Sequence, residues 1–384
     1  MRRLVLLASA IVFLDVAFYA ALVPLLPDYV DRLDLSKAEA GILSAAYAAG
    51  TLAAALPAGF VAARFGPRRT VLAGLGLLAA SSFTFGFANH IVLLDAARLV
   101  QGIAGALMWS GAFTWLILSA PEDRRGGVIG TAIGTAVAGA LFGPPLGALA
   151  NAIGTRAVFG SVVAVAAILA WLAVRSEDPT ERESQGLREV WRTLRSRPVL
   201  LAAGFVAAPS ALFGVDSVIV PLRLDELGGG PVTIASGFTI GAGLEAIMAP
   251  IVGRYSDQHG RLAPYVTGAL VAAASIVVVG TAMLQGLIVA AVITGAVGAG
   301  FCFTPATALL SDAAEATGLH QGFAAGLLNA AWAGGQVLGA VGGGAGAEVA
   351  GSAAPCIAAA ALLVLSAGVA WRSVPPLSRA PASA

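Results

Sequence analysis

The sequence predicts an all-helical membrane protein, with twelve transmembrane helices in two pseudo-symmetric six-helix halves. Three observations carry this expectation. Hydrophobic residues make up 58% of the 384 residues and charged ones 11%, against about 25% charged in an average soluble domain. Apolar runs long enough to cross a bilayer recur from one end of the chain to the other. Landmarks of the first half also reappear in the second at a nearly constant separation.

The twelve runs fall at about 4–27, 36–61, 70–88, 91–119, 127–149, 157–174, 199–222, 232–253, 264–284, 287–311, 322–347 and 351–371. Short loops join neighbours, as in a helical bundle. Met1-Arg2-Arg3 followed by an apolar run has the look of a signal peptide. The run continues past Asp15 to Pro27 without a small-residue cleavage site, so it reads as the first span. Residues 1–174 form the first six-helix half and 199–384 the second, with a short tail. Between them, 175–198 is a polar, arginine-rich linker, "RSEDPTERESQGLREVWRTLRSRP". Its "LREVWRTLRSR" fits either a surface amphipathic helix or a solvated connection.

Arginine placement orients the spans. With the N-terminus inside, the inner loops hold Arg2, Arg3, Arg64, Arg68, Arg69, Arg124, Arg125, the linker arginines, Arg254, Arg261 and Arg372. The outer loops hold mainly Asp28, Asp31, Arg32, Asp34, Arg156, Arg223, Asp225 and Glu226. Both termini are therefore expected in the cytoplasm, in a bacterial-type inner membrane.

The halves align. Gly59 and Gly253 are 194 positions apart, as are Gly66 and Gly260; Gly127 and Gly139 match Gly322 and Gly334 at 195; Val23-Pro24-Leu25 matches Val220-Pro221-Leu222 at 197. Parallel six-helix repeats are an architecture of secondary transporters.

Three segments carry a family resemblance. "GFVAARFGPRR" (59–69) resembles the loop signature of the major facilitator superfamily. "RLVQG" (98–102) is similar to its Arg-x-x-Gln-Gly signature in the fourth span. "GTAVAGALFGPPLGA" (134–148) resembles the Gly-Pro signature of its antiporter branch. With "FLDVAFYAALVPLLPDYV" (13–30), the likeness is closest to the drug:proton antiporters and vesicular monoamine transporters. The resemblance implies that superfamily's fold, alternating access, and a proton as the coupling ion with no other cofactor. In the amine carriers an acid lies two to three turns before the proline of the first span, and Asp15 matches that place. The family's loop acid is replaced by Ala63 in the first half and kept as Asp257 in the second. The acid that those carriers hold in span 11 is replaced by Asn329, and no counterpart of their span 10 acid is found.

The signature residues also have a reading of their own. Gly59, Gly66, Gly253 and Gly260 permit tight inner loops. Arg64, Arg68 and Arg69 are placed to pair with acids across the boundary between halves, and Asp257 to pair with Arg254 or Arg261. Gly130, Gly134, Gly139, Gly143 and Gly147 form a small-residue face for close helix contact, and Pro144 and Pro145 permit a kink.

Ionisable groups within a span are functional candidates by default, because their burial costs several kcal/mol. Asp15 falls ~16 Å along span 1 and Glu245 ~20 Å along span 8, at 1.5 Å per residue. Asp216 lies in the outer part of span 7. For each the alternative is a permanent ion pair or a polar helix contact. Arg98 either bridges Asp95 one turn away or, as the resemblance implies, tunes a nearby carboxylate. Gln101, Tyr19 and Trp109, with Asn329, Trp332 and Gln336 on one stripe of span 11, would line a mixed polar and aromatic cavity. A proton and a cation competing for one buried carboxylate give antiport.

A net charge of +1 argues against a nucleic-acid partner. Cys302 and Cys356, both in apolar runs, suggest neither a disulfide nor a metal site. His90, His259 and His320 fall at helix ends or loops, and no nucleophile–base set appears, so no enzyme is expected. The reading is a monomeric proton-coupled exporter of small amphipathic, cationic molecules in the lipid bilayer. Efflux of sugars or other neutral metabolites is the alternative, and a non-transporting membrane sensor or scaffold the alternative of another class.

Overall fold

The computed structural model describes residues 2–120, 125–179, 193, 195–317 and 321–373. Among these there are twelve long helical segments and no strand. α1 runs in two pieces, Arg2–Ala20 and Leu26–Leu33, joined through a 3-10 turn at Val23–Leu25. There follow α2 (Lys37–Phe65), α3 (Pro67–Phe87), α4 (Ile91–Ser119), α5 (Arg125–Ile153), α6 (Thr155–Val174), α7 (Arg197–Glu226), α8 (Pro231–His259), α9 (Leu262–Thr281), α10 (Gln285–Ala316), α11 (Gln321–Ala350) and α12 (Ala353–Ser373). Eleven of them are long and apolar enough to cross a membrane. The other, α11, is rich in glycine and is flanked by α2 on one side and α7 on the other.

Local chemistry sets the boundaries. Ser36 caps α2 through a reciprocal pair: the Glu39 amide donates to Ser36 Oγ (3.2 Å), and the Ser36 amide to Glu39 Oε2 (2.9 Å). α2 stops at Gly66, whose φ of 89° an L side chain rarely adopts, and Pro67 opens α3. The same device recurs 194 positions later, where Gly260 (φ 97°) ends α8. The stretch Asp28–Arg32, expected as an outer loop, is helical, because Pro27 at its first turn starts a new helix.

The repeat extends to side-chain packing. A methyl on Gly74 of α3 would meet Ala104 and Met108 of α4. A methyl on Gly268 of α9 would meet Gly298 and Cys302 of α10. All three correspondences are 194 positions apart. α5 lies on α1 through Gly139, Gly143 and Gly147, facing the carbonyls of Phe13, Ala17 and Ala21. α11 lies on α7 through Gly335, Gly339 and Gly343, facing Ala207, Ala211 and Val215. A methyl on Gly147 would fall 2.0 Å from the Ala21 oxygen, and one on Gly339 2.0 Å from the Ala211 oxygen.

This ladder corrects two expectations. Gly139 corresponds to Gly335, and Gly334 meets nothing. Gly130 and Gly134 also meet nothing within 4 Å, so the close-packing face of α5 begins at Gly139. The helix assignment continues through Pro144 and Pro145. The halves diverge at one matched proline. α1 breaks at Pro24, whereas α7 runs unbroken through Pro209 and Pro221.

α2 against α11 and α5 against α8 form the main contacts between α1–α6 and α7–α12. At one end of the bundle α2 and α11 nearly touch: a methyl on Gly41 would lie 2.6 Å from the Ala340 oxygen, and one on Gly344 2.4 Å from the Lys37 oxygen. Lys37, the sole lysine in the chain, fastens this end. Its Nζ lies 2.8 Å from Glu226 Oε1 of α7, and its amide donates to Glu348 Oε2 of α11 at 2.8 Å. The helix read into "LREVWRTLRSR" lies mostly outside the described residues.

Candidate functional site

Asp15 sits in the unbroken first piece of α1 with its side chain fully buried. Its Oδ2 accepts from the Tyr47 hydroxyl of α2 (2.9 Å) and from Trp109 Nε1 of α4 (3.1 Å). Its Oδ1 is buried without a hydrogen-bond partner. Among the described residues no basic nitrogen lies within ion-pair distance of it. The space exists because α4 carries Gly105 there: a methyl would fall 3.0 Å from both Asp15 oxygens and 2.6 Å from the Tyr47 hydroxyl. α2 reaches α4 closely at Gly102, where a methyl would lie 1.8 Å from the Tyr47 carbonyl oxygen. Thr51 bonds across the same contact to the Gly102 oxygen (3.2 Å).

Arg98 lies beside this group, 1% exposed. It makes no ion pair with Asp95. Its Nη1 donates to Gln101 Oε1 (2.9 Å) and, at 3.5 Å, to the Phe18 carbonyl; its Nη2 donates to the Tyr19 carbonyl at 3.3 Å. Those carbonyls occupy the last turn of α1 before its break, where a helix leaves acceptors unpaired and carries partial negative charge. The buried guanidinium is thus hydrogen-bonded to a helix end rather than to a carboxylate, with Asp15 acting on it only electrostatically. Arg98 Nε and Gln101 Nε2 remain without partners.

Aromatic rings complete the site. The Tyr19 ring lies 4.5 Å from that of Tyr47 and meets Trp332 of α11 edge-on at 5.6 Å. The Arg98 guanidinium lies 5.3 Å from the Tyr47 ring centre and 5.6 Å from that of Tyr19. Trp109 stacks on Phe113, 5.4 Å away. Tyr19, Trp109, Asn329 and Trp332 are each half-buried. Asp15, Tyr19, Arg98, Gln101, Trp109 and Trp332 therefore form one cluster drawing on α1, α4 and α11. Tyr47 and Gly105 complete it and are missing from the sequence-based candidates.

The other two acids stand apart from it. Asp216 of α7 is buried, has Oδ1 unpartnered, and lies close enough to Cys356 of α12 to influence it electrostatically. Glu245 of α8 lies over Gly300 of α10, where a methyl would fall 2.7 Å from its Cγ. Gln336 is buried on α11, its backbone oxygen against Gly214 of α7.

Arg68 and Arg261 depart from expectation. Arg68 bonds to the start of the linker, to the Ser176 carbonyl (3.2 Å) and Asp178 (3.7 Å), holding the start of α3 to the segment that follows α6. Arg64 lies over the neighbouring Phe65 ring, 5.8 Å away. Arg69 and Arg254 are exposed. Arg261 pairs with Asp312 of α10, leaving Asp257 exposed. Neither Arg68 nor Arg261 pairs with an acid of the opposite half. Among the described residues no group of three or more His, Cys, Asp or Glu is placed to hold a metal.

The chain is 31% identical over 162 residues to the MFS-type transporter ppzB of Metarhizium rileyi, covering 41% of the chain and 33% of that protein. It is 28% identical over 245 residues to a chloramphenicol resistance protein of Streptomyces lividans, covering 61% and 62%. The chain thus spans less than two thirds of the length of these curated relatives. Its fold matches the crystal structure of a bacterial homologue of the human lysosomal transporter Spinster, in an inward-facing, unoccupied conformation. That match has a TM-score of 0.78 over 97% of both chains at 15% identity. The family model described as Major Facilitator Superfamily matches residues 5–319 and 216–384. The twelve helices, the two packed repeats and this match have one conclusion: the chain is a multi-pass membrane protein and belongs to the major facilitator superfamily.

Proposed function

We propose that this transporter exports small amphipathic cations in exchange for protons by alternating access, with Asp15 as the carboxylate that both compete for. The carrying observation is the state of Asp15. It is buried, held by two neutral donors, has one unpartnered oxygen, and has no fixed cation within ion-pair distance. A buried charge requires a neutralising partner. Arg98 acts on Asp15 only from beyond ion-pair distance, and the direct partner is mobile: a proton in one state and a cationic substrate in the other. Tyr19, Trp109 and Trp332 offer ring faces that attract an organic cation, and they come from both halves.

The arginine distribution supports an inner-membrane location with both termini cytoplasmic. On that orientation the end fastened by Lys37 faces outside, which suits a site reached from the cytoplasm. A second reading draws on the amides. Gln101 keeps a buried, unpartnered Nε2, which would suit a neutral, hydroxyl-bearing solute, with Asn329 and Gln336 in support.

Proteoliposomes carrying an imposed pH gradient separate the readings. Gradient-driven movement of ethidium is expected for the wild type and expected to be lost in Asp15→Asn. Ethidium movement unchanged by Asp15→Asn would contradict the proposal. Gradient-driven movement of a neutral sugar that survives the substitution would favour the second reading.

A further inference from the structure

Tyr47 joins Asp15, Tyr19 and Arg98. Its hydroxyl donates to Asp15 Oδ2 (2.9 Å), its ring lies tilted against that of Tyr19 (4.5 Å), and the Arg98 guanidinium lies over it (5.3 Å). Tyr19 then meets Trp332 (5.6 Å). A continuous contact path, Asp15–Tyr47–Tyr19–Trp332, leads from the buried carboxylate of the first half to α11 of the second. α2, which carries Tyr47, is also the helix that packs along α11, at Gly41 against Ala340 and at Gly326 against Ala55.

The phenol has little freedom to retreat. Gly105 lies against its hydroxyl and Gly102 against its backbone, so α4 walls it on that side. The charged and titratable groups facing Tyr47 are Asp15 and Tyr19 of α1 and Arg98 of α4; α11 presents Trp332. A hydrogen bond to an ionised carboxylate is shorter and stronger than one to a neutral carboxyl. Protonation of Asp15 therefore loosens the hydrogen bond that holds the phenol hydroxyl. The hydroxyl and ring move as a rigid unit, so the change reaches Tyr19 and Trp332.

We infer that Tyr47 is a positioning residue that conveys the charge state of Asp15 to the interface between the two halves, through Tyr19 and Trp332. The inference rests on the reading of Asp15 as the exchanged carboxylate.

The test uses the full chain in nanodiscs, spin-labelled at Arg69→Cys and Gln258→Cys. These sites lie on opposite halves at one end of the bundle, and the two native cysteines are buried. The distance distribution is recorded across pH. The wild type is expected to shift with pH, and Asp15→Asn to lose the shift. Tyr47→Phe keeps the ring and removes only the hydroxyl, and it is expected to lose the shift too. Trp332→Ala leaves the bonds to Asp15 intact and is expected to flatten the shift independently. A wild-type shift in both Tyr47→Phe and Trp332→Ala, with the shift lost in Asp15→Asn, overturns the relay and leaves the exchange reading standing. A wild-type shift in Asp15→Asn itself overturns both.

Discussion

Gly105 and Asp15 are fitted to one another: the carboxylate and the Tyr47 phenol occupy the volume that a methyl on Gly105 would take. Gly105→Ala is expected to destabilise the protein by about 1–3 kcal/mol, the range for overpacking a tight site. It should also cut gradient-driven transport; melting in detergent and vesicle flux check the two effects. Flux at wild-type level in a normally folded Gly105→Ala protein would show that Asp15 has room to spare. Asp15 was legible in the sequence because a charge within an apolar run is conspicuous. Tyr47 was not, because a tyrosine among alanines in "SAAYAAGTLA" reads as packing until the crossing of α2 and α4 is known. Asp216 and Glu245 were equally conspicuous, yet they face other helices. Sequence gives the depth of a residue along a helix far better than the direction in which it points.

At the scale of the element, the break in α1 and the guanidinium of Arg98 belong together. Pro24 interrupts the helix, the carbonyls of Phe18 and Tyr19 are left at its end, and Arg98 reaches both from α4. The position 194 residues beyond Arg98 is Val292, and the helix that corresponds to α1 there is continuous. The clamp is therefore a feature of the first half alone, where the exchangeable carboxylate also lies. A lysine has a point charge in place of a planar fork and does not satisfy the same spread of acceptors. Arg98→Lys is accordingly expected to lower thermal stability and reduce transport, although the charge is kept. The glycine ladders give a cleaner contrast. Gly147→Ala should destabilise by about 1–3 kcal/mol through overpacking. Gly134→Ala meets open space and should be neutral, or stabilising by up to about 1 kcal/mol from helix propensity. Equal melting temperatures for the two variants would contradict the packing described. The glycine run in α5 was visible in the sequence; which of its members carry the contact was not, because periodicity does not fix where a neighbouring helix crosses.

For the whole molecule, the twofold repeat was readable from residue spacing, and the structure repeats it in turns and in packing. What spacing could not give was the pairing of charges. Among the described residues Arg68 and Arg261 do not pair across the halves, whereas Lys37 joins them through Glu226 and Glu348. A partly exposed pair of this kind contributes up to about 1 kcal/mol, or roughly a fivefold change in population. Lys37→Met should raise the reactivity of cysteines introduced beside Gly41 by no more than that factor, and Lys37→Glu with Glu226→Lys should restore it. The central claim is that one carboxylate is shared by proton and cation. It is tested most directly by adding tetraphenylphosphonium to purified protein in weakly buffered detergent solution near neutral pH and measuring proton release. The account predicts release on binding by the wild type and none by Asp15→Asn. Binding without release in the wild type, or undiminished release from Asp15→Asn, would contradict it.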